Sequence, residues 1–120
     1  MEKIGNNRQA VVFEWGDGNQ GFFGGDFYFL AEIDYSIREV ARFESFEDNS
    51  GAVGGIIGQS KYVNVRGKYE LIPKPGSGFF DIKVVYKGHK GIGKGRASMI
   101  RPYSKVVLYK FIKDKYVEYQ

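Results

Sequence analysis

The chain has 120 residues, enough for one domain with one hydrophobic core, and it carries a net charge of +4. Seventeen glycines and nineteen Phe plus Tyr favour strands joined by tight turns, because aromatic side chains pack well on a half-buried sheet. The absence of cysteine excludes disulfides, thiolate metal sites and a cysteine nucleophile. We therefore predict one all-β domain spanning residues 1–120, without a metal or a cofactor.

The first part of the chain predicts a flexible tail followed by a hairpin. Residues 1–8 are polar and are expected to be a flexible tail, "QAVVFEW" is expected to form a strand, and "GDGNQG" is rich in turn residues. The apolar window before Glu14 is too short for the core of a secretory signal or for a bilayer span. We therefore expect a cytoplasmic protein that has no membrane partner.

The next segments alternate with the period of a β-strand. In "DFYFLAEIDY" the odd-numbered residues from Phe27 to Tyr35 share one face, which predicts the clearest strand. "SIREVARFESF" fits either a helical stripe or a strand, and the surrounding aromatic residues favour the strand. "EDNSGAVGGIIG" predicts a turn and then a glycine-rich strand, where small residues allow another backbone or a ligand to approach.

The remaining strands bring the predicted total to eight or nine. "KYVNVRGKYELI" resumes the alternation, and "PKPGSG" interrupts it because proline lacks the amide hydrogen that pairing needs. "FFDIKVVYK" then places Phe80, Ile82, Val84 and Tyr86 inward, and "ASMIRPY", "KVVLYKFI" and "KYVEY" complete the chain. This pattern predicts a single antiparallel β-barrel, or a barrel-like sandwich, of about eight short strands.

Positive charge is concentrated in the last third of the chain. Residues 82–120 carry 10 Lys and Arg against 2 Asp and Glu, whereas residues 1–81 carry 8 against 12. Such asymmetry is typical either of a solvated surface or of an anion-binding face. The candidate polyanion-binding residues are Lys87, His89, Lys90, Lys94, Arg96, Arg101 and Lys105, with Tyr86, Tyr103 and Tyr109 available for stacking on bases.

The segment "GHKGIGKG", residues 88–95, resembles a phosphate-binding loop at most of its positions. Gly95 stands where the Ser or Thr that holds magnesium is required, and Pro102 interrupts any helix that could follow. We therefore predict a basic hairpin loop rather than a nucleotide site. His89 could act as a general base only with a substrate within hydrogen-bond reach, and a single His without Cys does not predict a metal site.

A family resemblance covers residues 27–71 of the chain. "FEDNSGAVGGIIGQSKYVNVRGKYEL", residues 46–71, resembles the glycine-rich region of the allene oxide cyclase and dirigent barrel superfamily. The positions that match are Gly58, Lys61, Tyr62, Arg66 and Gly67, and "FYF" at 27–29 corresponds to an aromatic strand upstream. The resemblance implies an up-and-down barrel with an apolar cavity in a family that often oligomerises. The chain departs from the family at both ends, so no catalytic position is transferred.

Three functions follow from these patterns. The leading hypothesis is a barrel that binds a small apolar molecule, with or without cyclase or isomerase activity, since about eight strands can enclose one small ligand. Its candidate ligand contacts are Trp15, Tyr28, Tyr62 and Arg66, and Glu14 is the candidate inward carboxylate. The alternatives are a module that binds nucleic acid or another polyanion, and a module that interacts with or inhibits a partner protein. A homo-oligomer is compatible with each.

Overall fold

The computed structural model of the chain describes residues 1–52, 58–76 and 78–119. It confirms the all-β prediction: eight strands form one antiparallel sheet in which every strand pairs with its neighbours in chain order. The strands are β1 (Glu2–Gly5), β2 (Arg8–Asn19), β3 (Phe22–Ile33), β4 (Ser36–Asp48), β5 (Val63–Ile72), β6 (Asp81–Ile92), β7 (Met99–Ile112) and β8 (Lys115–Tyr119). Short 3-10 turns occur at Ser50–Ala52, Gln59–Lys61 and Gly95–Ala97. Within the described ranges, no helix has the length and apolar character needed to cross a membrane.

Three of the hairpins close through two-residue turns. Gln20 and Gly21, Asp34 and Tyr35, and Lys113 and Asp114 all have positive φ angles. A pair of positive φ angles is the geometry of a type I′ turn, whose twist matches that of the flanking strands. The predicted turn at "GDGNQG" is therefore shorter than expected, because β2 continues to Asn19.

The sheet folds over on itself at the β4–β5 junction and remains open. β4 and β5 pair at only three positions, Phe46 to Asp48 with Asn64 to Arg66. Among the described residues β1 and β8 do not pair with each other, and β1 instead contacts the segment before β6, where the Phe80 amide donates to the Ile4 carbonyl at 2.7 Å. The fold is thus a barrel-like sandwich rather than a closed barrel. Its smallest extent of 20 Å suits two layers of strands.

Aromatic rings from both halves of the sheet fill the space between the layers. Tyr69 of β5 lies edge-on to Phe29 of β3 at 5.1 Å between ring centroids, and Phe43 of β4 stacks on Tyr109 of β7 at 5.3 Å. The inward faces predicted for β3 and β6 are confirmed, since Phe29, Ile82 and Val84 are fully buried. Tyr35 is the exception, because it lies in the β3–β4 turn and is exposed.

Strand β4 contains two irregularities that add residues to the core. Its register against β3 shifts between Ala41 and Glu39 and again between Phe46 and Glu44. The extra residues at these β-bulges, Val40 and Ser45, are both buried. The Ser45 hydroxyl has no hydrogen-bond partner among the described residues.

Several sequence-based expectations need correction. Residues 1–8 are not a tail: Glu2–Gly5 form β1 and Ile4 is fully buried. The last five residues of "ASMIRPY" and all of "KVVLYKFI" belong to the single strand β7, in which Pro102 is tolerated because β8 pairs only with the later residues of β7. The first five residues of the predicted basic loop belong to β6. The predicted glycine-rich strand falls largely on residues 53–57, outside the described ranges.

Candidate functional site

The structure brings together two of the candidate residues, Glu14 and Arg66, which are 52 positions apart. The Arg66 Nη1 atom lies 3.3 Å from Glu14 Oε2, and the guanidinium also stacks over the Phe46 ring at 5.0 Å. Glu14 does lie on the Ala10 and Val12 face of β2, but it is exposed in the middle of that strand. Glu14 is thus an ion-paired, exposed carboxylate and is not enclosed in a cavity.

Two glycines make room for the Phe46 ring in this cluster. A Cβ atom at Gly16 would lie 2.9 Å from the ring, and one at Gly25 would lie 2.6 Å from it. Gly16 and Gly25 face each other in the β2–β3 ladder, so the ring covers a patch of bare backbone. This packing holds Phe46 in place beneath the Arg66 guanidinium.

Trp15 and Tyr28, two of the candidate aromatic ligand contacts, lie on the outer surface rather than around an interior cavity. Trp15 is 68% exposed, and Tyr28 stacks between the Phe13 ring at 5.0 Å and the Arg42 guanidinium at 4.7 Å. Tyr62 follows the 3-10 turn at Gln59–Lys61, where its carbonyl accepts a hydrogen bond from the Gly91 amide. The described contacts do not gather Trp15, Tyr28, Tyr62 and Arg66 into one binding site.

The pleat of β6 and β7 divides the candidate polyanion-binding residues between two faces. Because Val84 and Tyr86 are buried, the odd-numbered residues Lys87 and His89 point outward and Lys90 points inward. On β7 the inward set continues with Arg101, which lies opposite Lys90 in the ladder, and with Lys105, which lies opposite Tyr86. Lys94 and Arg96 lie in the connection between β6 and β7. The charge run of the sequence is therefore not a single binding surface.

The outer surface of β5 and β6 carries a more compact basic cluster. Arg66 lies directly opposite Lys87, Lys68 lies opposite Val85, and Lys83 lies opposite Glu70. Arg66, Lys68, Val85 and Lys87 line a shallow cleft of about 450 Å³. We call Arg66, Lys68, Lys83 and Lys87, with Val85 at their centre, the β5–β6 basic face.

Neighbouring positive charges on the β5–β6 basic face repel one another. Like charges directly opposite in an antiparallel ladder are destabilising, as for Arg66 and Lys87. Glu14 offsets the charge of Arg66, but the structure gives no ion pair to Lys68 or Lys87 within the described residues. Lys68 and Lys83 are not among the candidates predicted from the sequence. The two-residue spacing of Arg66 and Lys68 and the four-residue spacing of Lys83 and Lys87 each indicate a shared strand face.

A second, polar cleft of about 250 Å³ lies at the inward side of β6 and β7. The Tyr86 hydroxyl donates to the Glu44 carbonyl at 2.8 Å, and the Lys90 ammonium lies 4.2 Å from the centroid of the Tyr103 ring. Partial burial raises the pKa of the Glu44 carboxyl, as does the nearby charge of Glu47, and Lys90 opposes this shift. The charged residues that line the cleft are Glu44, Glu47, Lys90, Lys105 and Glu118. This mixed charge is not suited to a polyanion.

A third cleft, of about 570 Å³, opens on the outer surface of β2 and β3 near the amino terminus. Its apolar lining is contributed by Met1, Val11, Leu30, Ala31, Ile37 and Phe79. Arg8 covers the Phe79 ring at 4.7 Å on the same side. None of the candidate ligand contacts from the sequence lines this cleft.

Comparison with known proteins adds no relative: no family model, no curated protein and no solved structure matches this chain.

Proposed function

We propose that the chain binds nucleic acid through the phosphate backbone, on the β5–β6 basic face. The observation that carries this proposal is the clustering of Arg66, Lys68 and Lys87 on one exposed surface of two paired strands. Residues two apart on a strand are separated by about 6.6 Å and directly opposite residues by about 5 Å. Such spacing lets neighbouring cations contact neighbouring phosphates, and bound phosphates would relieve the repulsion between Arg66 and Lys87.

The position of the aromatic residues favours double-stranded over single-stranded nucleic acid. Tyr86, Tyr103 and Tyr109 lie on the inward face of β6 and β7, and Tyr86 is buried. Sequence-tolerant binding of single strands depends on aromatic rings that stack with bases. The β5–β6 basic face has Val85 at its centre instead, so it is suited to contacts with phosphates, which carry no base information.

The test is the salt dependence of binding to a short DNA duplex, measured by fluorescence anisotropy. If Arg66, Lys68 and Lys87 each contact one phosphate, the log–log slope against salt is expected near about −2.7, taking ~0.9 per contact. Replacing Lys68 and Lys87 together by Gln should reduce the magnitude of the slope to about 0.9. The matched control replaces Lys3 and Lys61 by Gln, which removes the same net charge from exposed positions elsewhere.

Two results would contradict the proposal. One is an absence of duplex binding by the unaltered chain at low salt. The other is equal weakening by the β5–β6 double variant and the Lys3 and Lys61 control, which would show that overall charge alone attracts the DNA. Stronger retention of a sulfated polysaccharide than of DNA would assign the face to a different polyanion.

A second candidate function is the binding of a small apolar molecule, supported by the apolar cleft near the amino terminus. Its volume lies within the range of about 300–1,000 Å³ that ligand sites occupy. The aromatic rings that fill the interior make this outer cleft a better location than the centre of the fold. The ligand would contact Val11, Leu30 and Ile37.

A neutral, apolar fluorescent dye tests this second candidate. Ile37→Glu should reduce dye binding because it places a charge at the cleft, and Ile37 is 70% exposed, so the fold should tolerate it. Val106→Glu is the control, since Val106 is an exposed apolar residue on β7. Equal dye binding by both variants would remove the apolar cleft as a ligand site.

A further inference from the structure

Strand β2 has a long edge without a partner strand in the described structure. β1 pairs only with Arg8 to Ala10, which leaves nine of the twelve residues of β2, Val11 to Asn19, paired on one side by β3 alone. Backbone amides and carbonyls on such an edge are a template for another strand. The length of this free edge is greater than that of a typical whole strand in a globular protein, about five to six residues.

The free edge of β2 has few of the features that usually prevent edge pairing. Proteins protect exposed edges with lysine, proline or bulges. Another long free edge, Met99 to Val107 of β7, carries Arg101, Pro102 and Lys105 in this way. The segment "VVFEWGDGN" of β2 contains neither a basic residue nor a proline. Its two charged residues are Glu14, which is ion-paired to Arg66, and Asp17. Gly16 and Gly18 have no side chains to obstruct an approaching backbone.

We propose that two copies of this chain associate by antiparallel pairing of their β2 edges, with Trp15 at the two-fold axis. In a register centred on Trp15 all nine free residues of each copy are paired. Val11 of each copy lies opposite Asn19 of the other. In this register Glu14 lies opposite Gly16 and Asp17 lies opposite Phe13, so no carboxylate directly faces another. A register centred on Glu14 or on Asp17 would place that carboxylate against its own copy, which is destabilising.

Exposed apolar side chains beside the edge support the same partner. Val11, Phe13 and Trp15 share the outer face of β2, and Trp15 is its most exposed member at 68%. Continuation of the sheet across the two-fold axis brings the Trp15 rings of both copies together and covers part of this apolar row. Aromatic pairs across strands stabilise such ladders. The pairing is isologous, so it closes as a dimer.

The first experiment measures association by sedimentation velocity over a range of protein concentrations. The unaltered chain should shift from monomer to dimer as its concentration rises through the micromolar range. Trp15→Lys should weaken dimerisation by about tenfold or more, as expected for a tryptophan at the centre of an interface. Val106→Lys is the matched control, because it also replaces an exposed apolar residue by lysine, on β7 outside the proposed interface.

The second experiment tests the register by cross-linking, and it uses the absence of cysteine from the chain. Directly opposite residues have Cα atoms about 4.5–5.5 Å apart, within the range that a disulfide spans. Trp15→Cys should therefore form a disulfide-linked dimer under mild oxidation. Phe13→Cys, which faces Asp17 in this register, and Val106→Cys, on β7, should form far less of it.

The proposal is overturned by a chain that stays monomeric at all concentrations and does not cross-link through residue 15. It is also overturned by a dimer that Trp15→Lys leaves as tight as the Val106→Lys control. Preferential cross-linking of Phe13→Cys over Trp15→Cys would overturn the register. Circular dichroism of each variant confirms that the strands are retained.

Discussion

Gly67→Ala is the substitution that most directly tests the packing at the β4–β5 junction. Beyond Phe46 and Arg66 the two strands separate, and the Tyr86 side chain of β6 crosses over Gly67 to reach the Glu44 carbonyl at 2.8 Å. Burial raises the pKa of Tyr86 well above its usual value, as expected for a hydroxyl held neutral in this position. The tyrosine thus satisfies a backbone carbonyl where β4 and β5 no longer pair.

The size of the effect follows from the space above Gly67. A Cβ atom there would lie 2.7 Å from Tyr86 Cε1 and 2.9 Å from Cδ1, so the buried ring has to move. Overpacking of this kind costs about 1–3 kcal/mol. Displacing the hydroxyl adds about 1 kcal/mol for the lost hydrogen bond. The lower backbone entropy of alanine offsets about 0.5–1 kcal/mol. We expect Gly67→Ala to lower the free energy of unfolding by about 1–3 kcal/mol.

Urea unfolding followed by circular dichroism measures this change, with Gly24→Ala as the matched control. Gly24 also lies in a strand, but the nearest atom to a Cβ there is at 3.6 Å, so alanine should be neutral or slightly stabilising. In a Tyr86→Phe background Gly67→Ala should cost about 1 kcal/mol less, because no hydrogen bond remains to be broken. A Gly67→Ala protein as stable as the Gly24→Ala control would refute the proposed role of Gly67.

Further predictions concern the core and its tyrosines. Phe29→Ala should lower the free energy of unfolding in urea by about 3–5 kcal/mol, since Phe29 is fully buried, whereas Trp15→Ala should change the monomer by less than about 0.5 kcal/mol. Ser45→Ala should leave stability unchanged or raise it by up to about 1 kcal/mol, because the buried hydroxyl has no protein partner in the described structure; a loss above about 1 kcal/mol would show that the hydroxyl is hydrogen-bonded. Burial raises the pKa of Tyr86 and Tyr116 in the folded protein, so their contribution to stability is complete below the ordinary tyrosine pKa of about 10 and is lost as the pH rises above it. Thermal unfolding across this pH range should show the decline, and a melting temperature independent of alkaline pH would contradict it.

The local pattern of the sequence was sufficient to identify most strands and the faces they bury. The alternation in residues 26–35 and 79–87 predicted the burial of Phe29, Ala31, Ile82 and Val84, because a strand places successive side chains on opposite faces regardless of its partners. The order of the sheet, by contrast, depends on which edges meet. The short β4–β5 pairing and the open edges of β1 and β8 arise from the tertiary arrangement and have no local signal.

The candidate sites show the same division. The composition shows that the final third of the chain is basic. The alternation of side chains along β6, in which Val84 and Tyr86 are buried, places Lys87 outward and Lys90 inward. Pairing of β5 with β6 then adds Lys68 to the outward group, although it lies outside the charge run. Glu14 and Arg66 meet across 52 residues only because β2 and β5 are brought together by the fold. Residue type and local spacing thus determined the strands and their charges, whereas the packing of the folded sheet decided which of these charges are neighbours.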